Sequence, residues 1–195
     1  MKVIGVTGTI GSGKSTVSAH LRDRGFRVLD ADEMARAVAR EESVIREVGA
    51  RFGEGFLTED GAIDRKKLAE TVFSDPAKKK TLEDLITKRV VGQVSETIEA
   101  YRNAEGEEKP DTVFLDAPLL FETGADRLCD ETWIITADPE TIVQRTMARD
   151  GATREEVLAR AASQMSTEDK IRRADVVIGN NGTKEELLKK IDRII

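Results

Sequence analysis

Eight residues near the start of the chain, Gly8-Thr9-Ile10-Gly11-Ser12-Gly13-Lys14-Ser15, constrain the fold more than any other stretch. They match the pattern G-x-x-x-x-G-K-[ST], and they stand where it must stand. Residues 2–6 read as a buried strand before them, and a helix is expected over residues 14–24 after them. Glycines let such a loop curl until successive backbone N–H groups point inward at phosphate oxygens. The helix beginning at Lys14 adds the positive end of its dipole. On this reading Gly8, Thr9, Ile10, Gly11, Ser12, Gly13, Lys14, Ser15 and Thr16 bind ATP. Lys14 reaches the β- and γ-phosphates as a point charge, and Ser15 offers its hydroxyl to Mg²⁺.

The rest of the chain alternates short apolar runs with helical patterns. Strands are expected at residues 26–29, 112–115, 132–136 and 175–178. Helices are expected at 33–40, 43–52, 64–73, 139–149, 154–164 and 184–194. A long helix after Pro76 carries the stripe Leu82, Leu85, Ile86, Val90, Val94, Ile98 and Tyr101, which reads as core packing. Short apolar strands separated by helices imply a mostly parallel sheet covered on both faces. One domain is expected over the 195 residues, with its core at about 1–32 and 111–195. Residues 33–110 are too long for a plain crossover and read as a helical substrate-binding insertion; a small lid is expected at about 145–165.

Composition narrows the chemistry. One cysteine (Cys129) and one histidine (His20) leave metal binding to oxygen ligands, hence Mg²⁺ rather than Zn²⁺. Cys129 reads as an ordinary half-buried thiol in a reducing compartment. The formal net charge of −6 argues against a general nucleic-acid binder, but not against a small polyanionic ligand held by local donors. No apolar stretch approaches the roughly 18 residues of a membrane span, and a cytoplasmic protein is expected. Oligomeric state is left open, a monomer being compatible with the sequence.

A phosphate loop alone does not separate a kinase from a switch GTPase or a motor ATPase. The Asn-Lys-x-Asp and Asp-x-x-Gly segments of guanine-specific switches are missing, since Asp116 is followed by Ala117-Pro118-Leu119. Asp116 itself closes an apolar run, at the strand end where the Mg²⁺ shell needs a carboxylate; its bland alternative is a turn residue. Asp32 follows the second strand, on the same edge as the phosphate loop. Transfer to a hydroxyl needs a carboxylate that orients the nucleophile and accepts its proton, and of the alternating Asp30 and Asp32 the choice falls on Asp32, which can also cap the next helix. Arg145 and Arg149, four apart on one helix face, are expected to close over ATP; the alternative is surface solvation beside Asp150. Arg154 and Arg160 can join them from the lid.

Beyond the loop, the segments Val28-Leu29-Asp30-Ala31-Asp32, Arg51-Phe52-Gly53, Asp64-Arg65, Asp116-Ala117-Pro118-Leu119-Leu120-Phe121-Glu122, Gln144-Arg145-Thr146-Met147-Ala148-Arg149-Asp150 and Ala174-Asp175-Val176-Val177-Ile178 resemble the dephospho-coenzyme A kinase family. The resemblance runs the length of the chain. It implies a P-loop NTPase α/β fold of three layers (α/β/α), similar to nucleotide kinases, with a five-stranded parallel sheet. It also implies ATP and dephospho-coenzyme A as substrates, attack by the ribose 3′-hydroxyl with Asp32 at the base position, and Asn180 near the ATP adenine. Three departures stand out: Thr87-Lys88 where the family usually has His-Pro, Arg40-Glu41 where it usually has Pro-Gly, and Gly179 where it tends to have Asp. The alternatives are a related P-loop kinase acting on another nucleotide or nucleoside and, in another class, a non-catalytic nucleotide-binding regulator.

Overall fold

The computed structural model describes residues 1–60, 63–64, 66–68, 70 and 75–195. Five strands form one parallel sheet: β1 (Lys2–Gly8), β2 (Arg27–Asp30), β3 (Thr112–Asp116), β4 (Glu131–Thr136) and β5 (Val176–Gly179), in the spatial order β2-β3-β1-β4-β5. The central strand is the most buried. Every residue of β1 after Lys2 is buried, as befits a strand covered on both faces, whereas β2 and β5 at the edges are only partly buried. Since the chain leaves β1 toward one edge and later crosses to the other, a crevice opens beyond the carboxyl end of β1. That is where open α/β sheets bind ligands.

The chain divides into two compact units. The first comprises Met1–Asp30 and Thr97–Ile195, and the second Ala31–Glu96. In the first, α1 (Lys14–Asp23) covers the sheet through Val17 and Leu21, which join Ile4, Val6, Trp133, Ile135 and the apolar side of the last helix in one core. Phe114 sits at its middle, edge-on to Phe26 at 5.2 Å and to Trp133 at 5.5 Å between ring centroids. Helix α1 ends in a Schellman motif. Gly25 takes the left-handed conformation at φ 87°, its N–H donates to the Arg22 carbonyl, and the Phe26 N–H donates to the Leu21 carbonyl at 3.0 Å. The turn thereby delivers Phe26 to the core.

The second unit holds α2 (Ala31–Val38), α3 (Glu42–Phe52) and most of α4 (Pro76–Asn103). Asp75 caps α4, its carboxylate accepting from the N–H groups of Ala77 and Lys78 at 3.0 and 3.1 Å. Of the expected stripe, Leu85, Val94 and Ile98 are buried with Val90, while Leu82, Ile86 and Tyr101 are half-buried. Of the helix expected over residues 64–73, residues 66–68 and 70 are helical, while 65, 69 and 71–73 lie outside the described residues.

Four helices complete the first unit: α5 (Pro139–Asp150), α6 (Arg154–Ala162), α7 (Thr167–Arg173) and α8 (Lys184–Ile191). Pro139 opens α5, and Gly151 at φ 66° ends it. Reciprocal capping boxes, Thr153 with Glu156 and Thr183 with Glu186, start α6 and α8. Helix α6 stops at Ala162 and α8 at Ile191, each earlier than expected. Helix α7 was not anticipated. Its seven residues are mostly charged and show no apolar stripe, so only Ser166, which accepts from the Asp169 N–H, marks its start. Among the described residues, no helix is long and apolar enough to cross a membrane.

Candidate active site

The phosphate loop begins where β1 ends, at Gly8, and closes into α1 at Gly13. Two of its glycines are required by shape. Gly11 has φ 75°, and a Cβ there would stand 2.5 Å from the Thr146 hydroxyl and 2.8 Å from the Ile142 carbonyl of α5. Gly13 has φ 101°, and its Cβ would collide with the side-chain amide of Asn180. The loop is thus laid directly on α5 and on the segment after β5. Its first turn is pinned by the Ser12 N–H donating to the Thr9 carbonyl at 3.1 Å.

Lys14 heads α1, and its ammonium forms an ion pair with Asp116. Asp116 is the last residue of β3, 4% exposed, and lies in register with Val6 of β1 and Asp30 of β2. The strand pairing therefore brings cation and carboxylate to the same edge although 102 positions separate them in sequence. Ser15 is exposed in the first turn of α1, with Thr16 half-buried beside it. No group of three or more His, Cys, Asp or Glu side chains able to hold a metal occurs among the described residues. A protein site limited to the Asp116 carboxylate and the Ser15 hydroxyl fits Mg²⁺, which takes one or two protein oxygens and fills its shell with phosphates and water.

Asn180, just past β5, is 6% exposed, and its side-chain amide donates to the Ser12 carbonyl at 2.8 Å. Its own backbone N–H donates to the Thr136 carbonyl at 2.7 Å. Asn180 thus braces the phosphate loop from behind. Arg145 grips the same segment, its guanidinium donating to the carbonyls of Asn180 at 2.8 Å and Gly182 at 3.1 Å. Gly8 through Thr16, Asp116, Arg145 and Asn180 are accordingly gathered within the first unit.

Arg149 turns to its neighbour, donating to both carboxylate oxygens of Asp150 at 2.6 and 3.0 Å, while Arg160 donates to Asp150 at 3.3 Å. The hydrogen bond from Arg149 holds the Asp150 carboxyl below its ordinary range. Arg154 forks onto Glu140 at 2.8 and 3.1 Å and lowers that carboxyl in the same way. Beside Thr9, a cleft of about 530 Å³ opens between α5 and α6. Asp32 belongs to the second unit, in the first turn of α2 and two residues past the end of β2. That unit has its own pocket, about 520 Å³, lined by Glu47, Arg51, Lys88, Arg89 and Gln93 among others.

Sequence reasoning passed over one cluster altogether. Lys170 of α7 is completely buried, paired with Glu122 at 2.9 Å, and donates to the Pro118 carbonyl at 2.7 Å. Within the run Thr-Glu-Asp-Lys-Ile-Arg-Arg nothing distinguishes a buried lysine from a solvated one. Thr146, likewise fully buried against Gly11, was overlooked because a threonine between Arg145 and Met147 carries no signal of its own.

Comparison with known proteins supplies the context for this geometry. The sequence model of the dephospho-CoA kinase family matches residues 2–186. A dephospho-CoA kinase of Geobacter sulfurreducens is 47% identical over 195 residues, covering 100% of this chain and 97% of that one. Among solved structures, TT1252 from Thermus thermophilus is 40% identical with a TM-score of 0.80, covering 99% of this chain and 95% of that one. Dephospho-CoA kinase from Campylobacter jejuni is 29% identical with a TM-score of 0.71, covering 98% and 96%.

Proposed function

The chain belongs to the dephospho-CoA kinase family, and we propose that it performs that reaction with Lys14, Asp116 and Asp32 as its chemical centre. It is an ATP-dependent kinase that transfers the terminal phosphoryl of ATP to dephospho-CoA, the final step of coenzyme A biosynthesis. The observation that carries this reading is the family match over residues 2–186 together with an intact phosphate loop whose lysine stands beside a buried strand-end carboxylate.

The backbone N–H groups of residues 8–15 and the amino end of α1 bind the triphosphate. Lys14 leaves its pair with Asp116 to neutralise the β- and γ-phosphates, and Asp116 and Ser15 are the residues that would hold Mg²⁺. When bound, Mg²⁺ offsets the negative charge that the phosphates bring together. Asp32 orients the ribose 3′-hydroxyl and takes its proton as the new O–P bond forms and the bond to the β-phosphate oxygen breaks, releasing ADP. Arg145 keeps the loop after β5 in place and, with Arg149 from the lid, faces the charge on the transferring group. The second unit binds the acceptor, its pocket offering Lys88 and Arg89 to anionic groups. The site of action is the cytoplasm.

The test is a panel of acceptors offered with ATP and Mg²⁺ to wild type and Asp32→Asn. Dephospho-CoA should give the fastest ADP release. The variant should keep its KM for ATP while turnover falls by roughly 10²–10⁴-fold, the scale of a lost general base. A faster reaction with a nucleoside monophosphate would reassign the acceptor, and near-normal turnover of Asp32→Asn would remove Asp32 as the base.

A further inference from the structure

A lysine that exposes nothing to solvent is uncommon, because its charge is tolerated inside only when paired and hydrogen-bonded. Lys170 meets that condition with two partners. Its ammonium sits 2.9 Å from Glu122 Oε1 and 2.7 Å from the Pro118 carbonyl oxygen. That carbonyl also accepts from the hydroxyl of Thr7, the fully buried penultimate residue of β1, at 3.1 Å. Glu122 in turn accepts from the Met165 N–H at 3.0 Å, on the stretch between α6 and α7. Three pieces of chain meet at this cation: the strand end that feeds the phosphate loop, the turn that leaves Asp116, and the return from the lid.

We propose that Lys170 is a positioning residue for phosphoryl transfer, its buried ammonium locking the Pro118 carbonyl and Glu122 so that the Asp116 turn is held in register with the phosphate loop. A well-packed apolar pair of the same volume stabilises a fold as well as a buried ion pair does, and often better. What the apolar pair cannot supply is direction. The turn after Asp116 is tied to β1 by the Ala117 N–H donating to the Val6 carbonyl at 3.0 Å and by the Thr7 hydroxyl on Pro118. Lys170 adds a charged donor from α7 to the same Pro118 carbonyl. Arg173, one turn along α7, reinforces the grip by donating to the Phe121 carbonyl at 3.3 Å and to Asp126 at 2.9 Å. Displacement of this turn moves the carboxylate that faces Lys14, and misplaced supporting groups of this kind typically lower activity about 10–100-fold.

The inference rests on Asp116 being the working carboxylate, so Asp116→Asn accompanies the series as a control. Lys170→Met, Glu122→Gln and the double variant Glu122→Gln/Lys170→Met are assayed below their melting temperatures. Lys170→Met should lose roughly 10–100-fold in kcat with the KM for ATP within about twofold of wild type. Removing both charges should raise the melting temperature above that of Glu122→Gln, because the fully buried ammonium no longer stands without its counter-charge, yet leave kcat depressed, because the Pro118 carbonyl keeps only the Thr7 hydroxyl. Glu122→Gln keeps the Lys170 bond to Pro118 and should retain kcat within about threefold. Recovery of kcat along with stability in the double variant, or a loss in Glu122→Gln as deep as in Lys170→Met, would overturn the proposal. A near-normal Asp116→Asn would instead remove the assignment beneath it.

Discussion

Asn180 offers a perturbation whose outcome separates two roles. Its side chain makes one buried bond, to the Ser12 carbonyl, and its backbone is seated independently through Thr136. Asn180→Ala therefore deletes a single support and leaves the segment in place. A buried carbonyl deprived of its donor costs about 1–3 kcal/mol, which at 1.4 kcal/mol per decade is roughly 5- to 150-fold in an equilibrium constant. Before nucleotide arrives the loop can relax toward water and recover part of that cost, so most of it falls on nucleotide binding, which demands the ordered loop. Asn180→Asp should lie at the upper end of the range, since a carboxylate cannot donate to Ser12 and adds negative charge beside the phosphates. The assay is displacement of a fluorescent ADP analogue by ATP, GTP and tripolyphosphate. Bracing of the loop predicts equal losses for all three, because each relies on the same backbone amides. A loss confined to ATP would refute this reasoning and restore the expected contact with adenine.

Two further predictions follow from proton chemistry away from the site. Asp175 accepts from the Thr132 hydroxyl at 2.7 Å and from the Thr132 N–H at 2.8 Å, which hold its carboxyl below the ordinary range. Its stabilisation is therefore full above the unfolded pKa, near 3.9, and disappears as pH falls through the lower folded value. After allowance for solvent exposure, Asp175→Ala should cost about 1 kcal/mol at pH 7, or ~2–4 °C in melting temperature. The gap from wild type should close toward pH 2–3; a gap constant with pH would exclude the carboxylate as its source. For Cys129, burial first, then Asp126 and Asp130, push the thiol up to about 12. Alkylation by iodoacetamide at pH 8 should run roughly 10³-fold slower in the folded protein than in urea, as followed by mass spectrometry. Comparable rates would mean that the thiol is not shielded.

What the sequence disclosed, it disclosed through local rules. The loop at residues 8–15 is a contiguous pattern flanked by strand and helix signals, and all five strands lie within two residues of where apolar runs put them. Asp116 could be singled out only in the company of that loop, because a carboxylate ending an apolar strand is by itself as easily a turn residue. Contacts that arise only when distant segments pack were hidden. Nothing at Asn180 says that its amide will reach Ser12, and nothing at Arg145 says that it will hold two carbonyls of the same segment. Lys170 was invisible for the opposite reason: its neighbours in α7 are the charged residues of a solvated surface, and only the tertiary fold turns this one inward.

The bond between Asn180 and Ser12 spans 168 positions along the chain. The nucleotide-gripping motif precedes β5 in the chain, and a folding intermediate that had formed β1 and α1 without β5 would carry its letters without its geometry. Loop closure on that scale is among the slow events of folding. Nucleotide affinity should therefore emerge late, making capture of a labelled ADP analogue during refolding a clock for completion of the whole sheet rather than for birth of the motif.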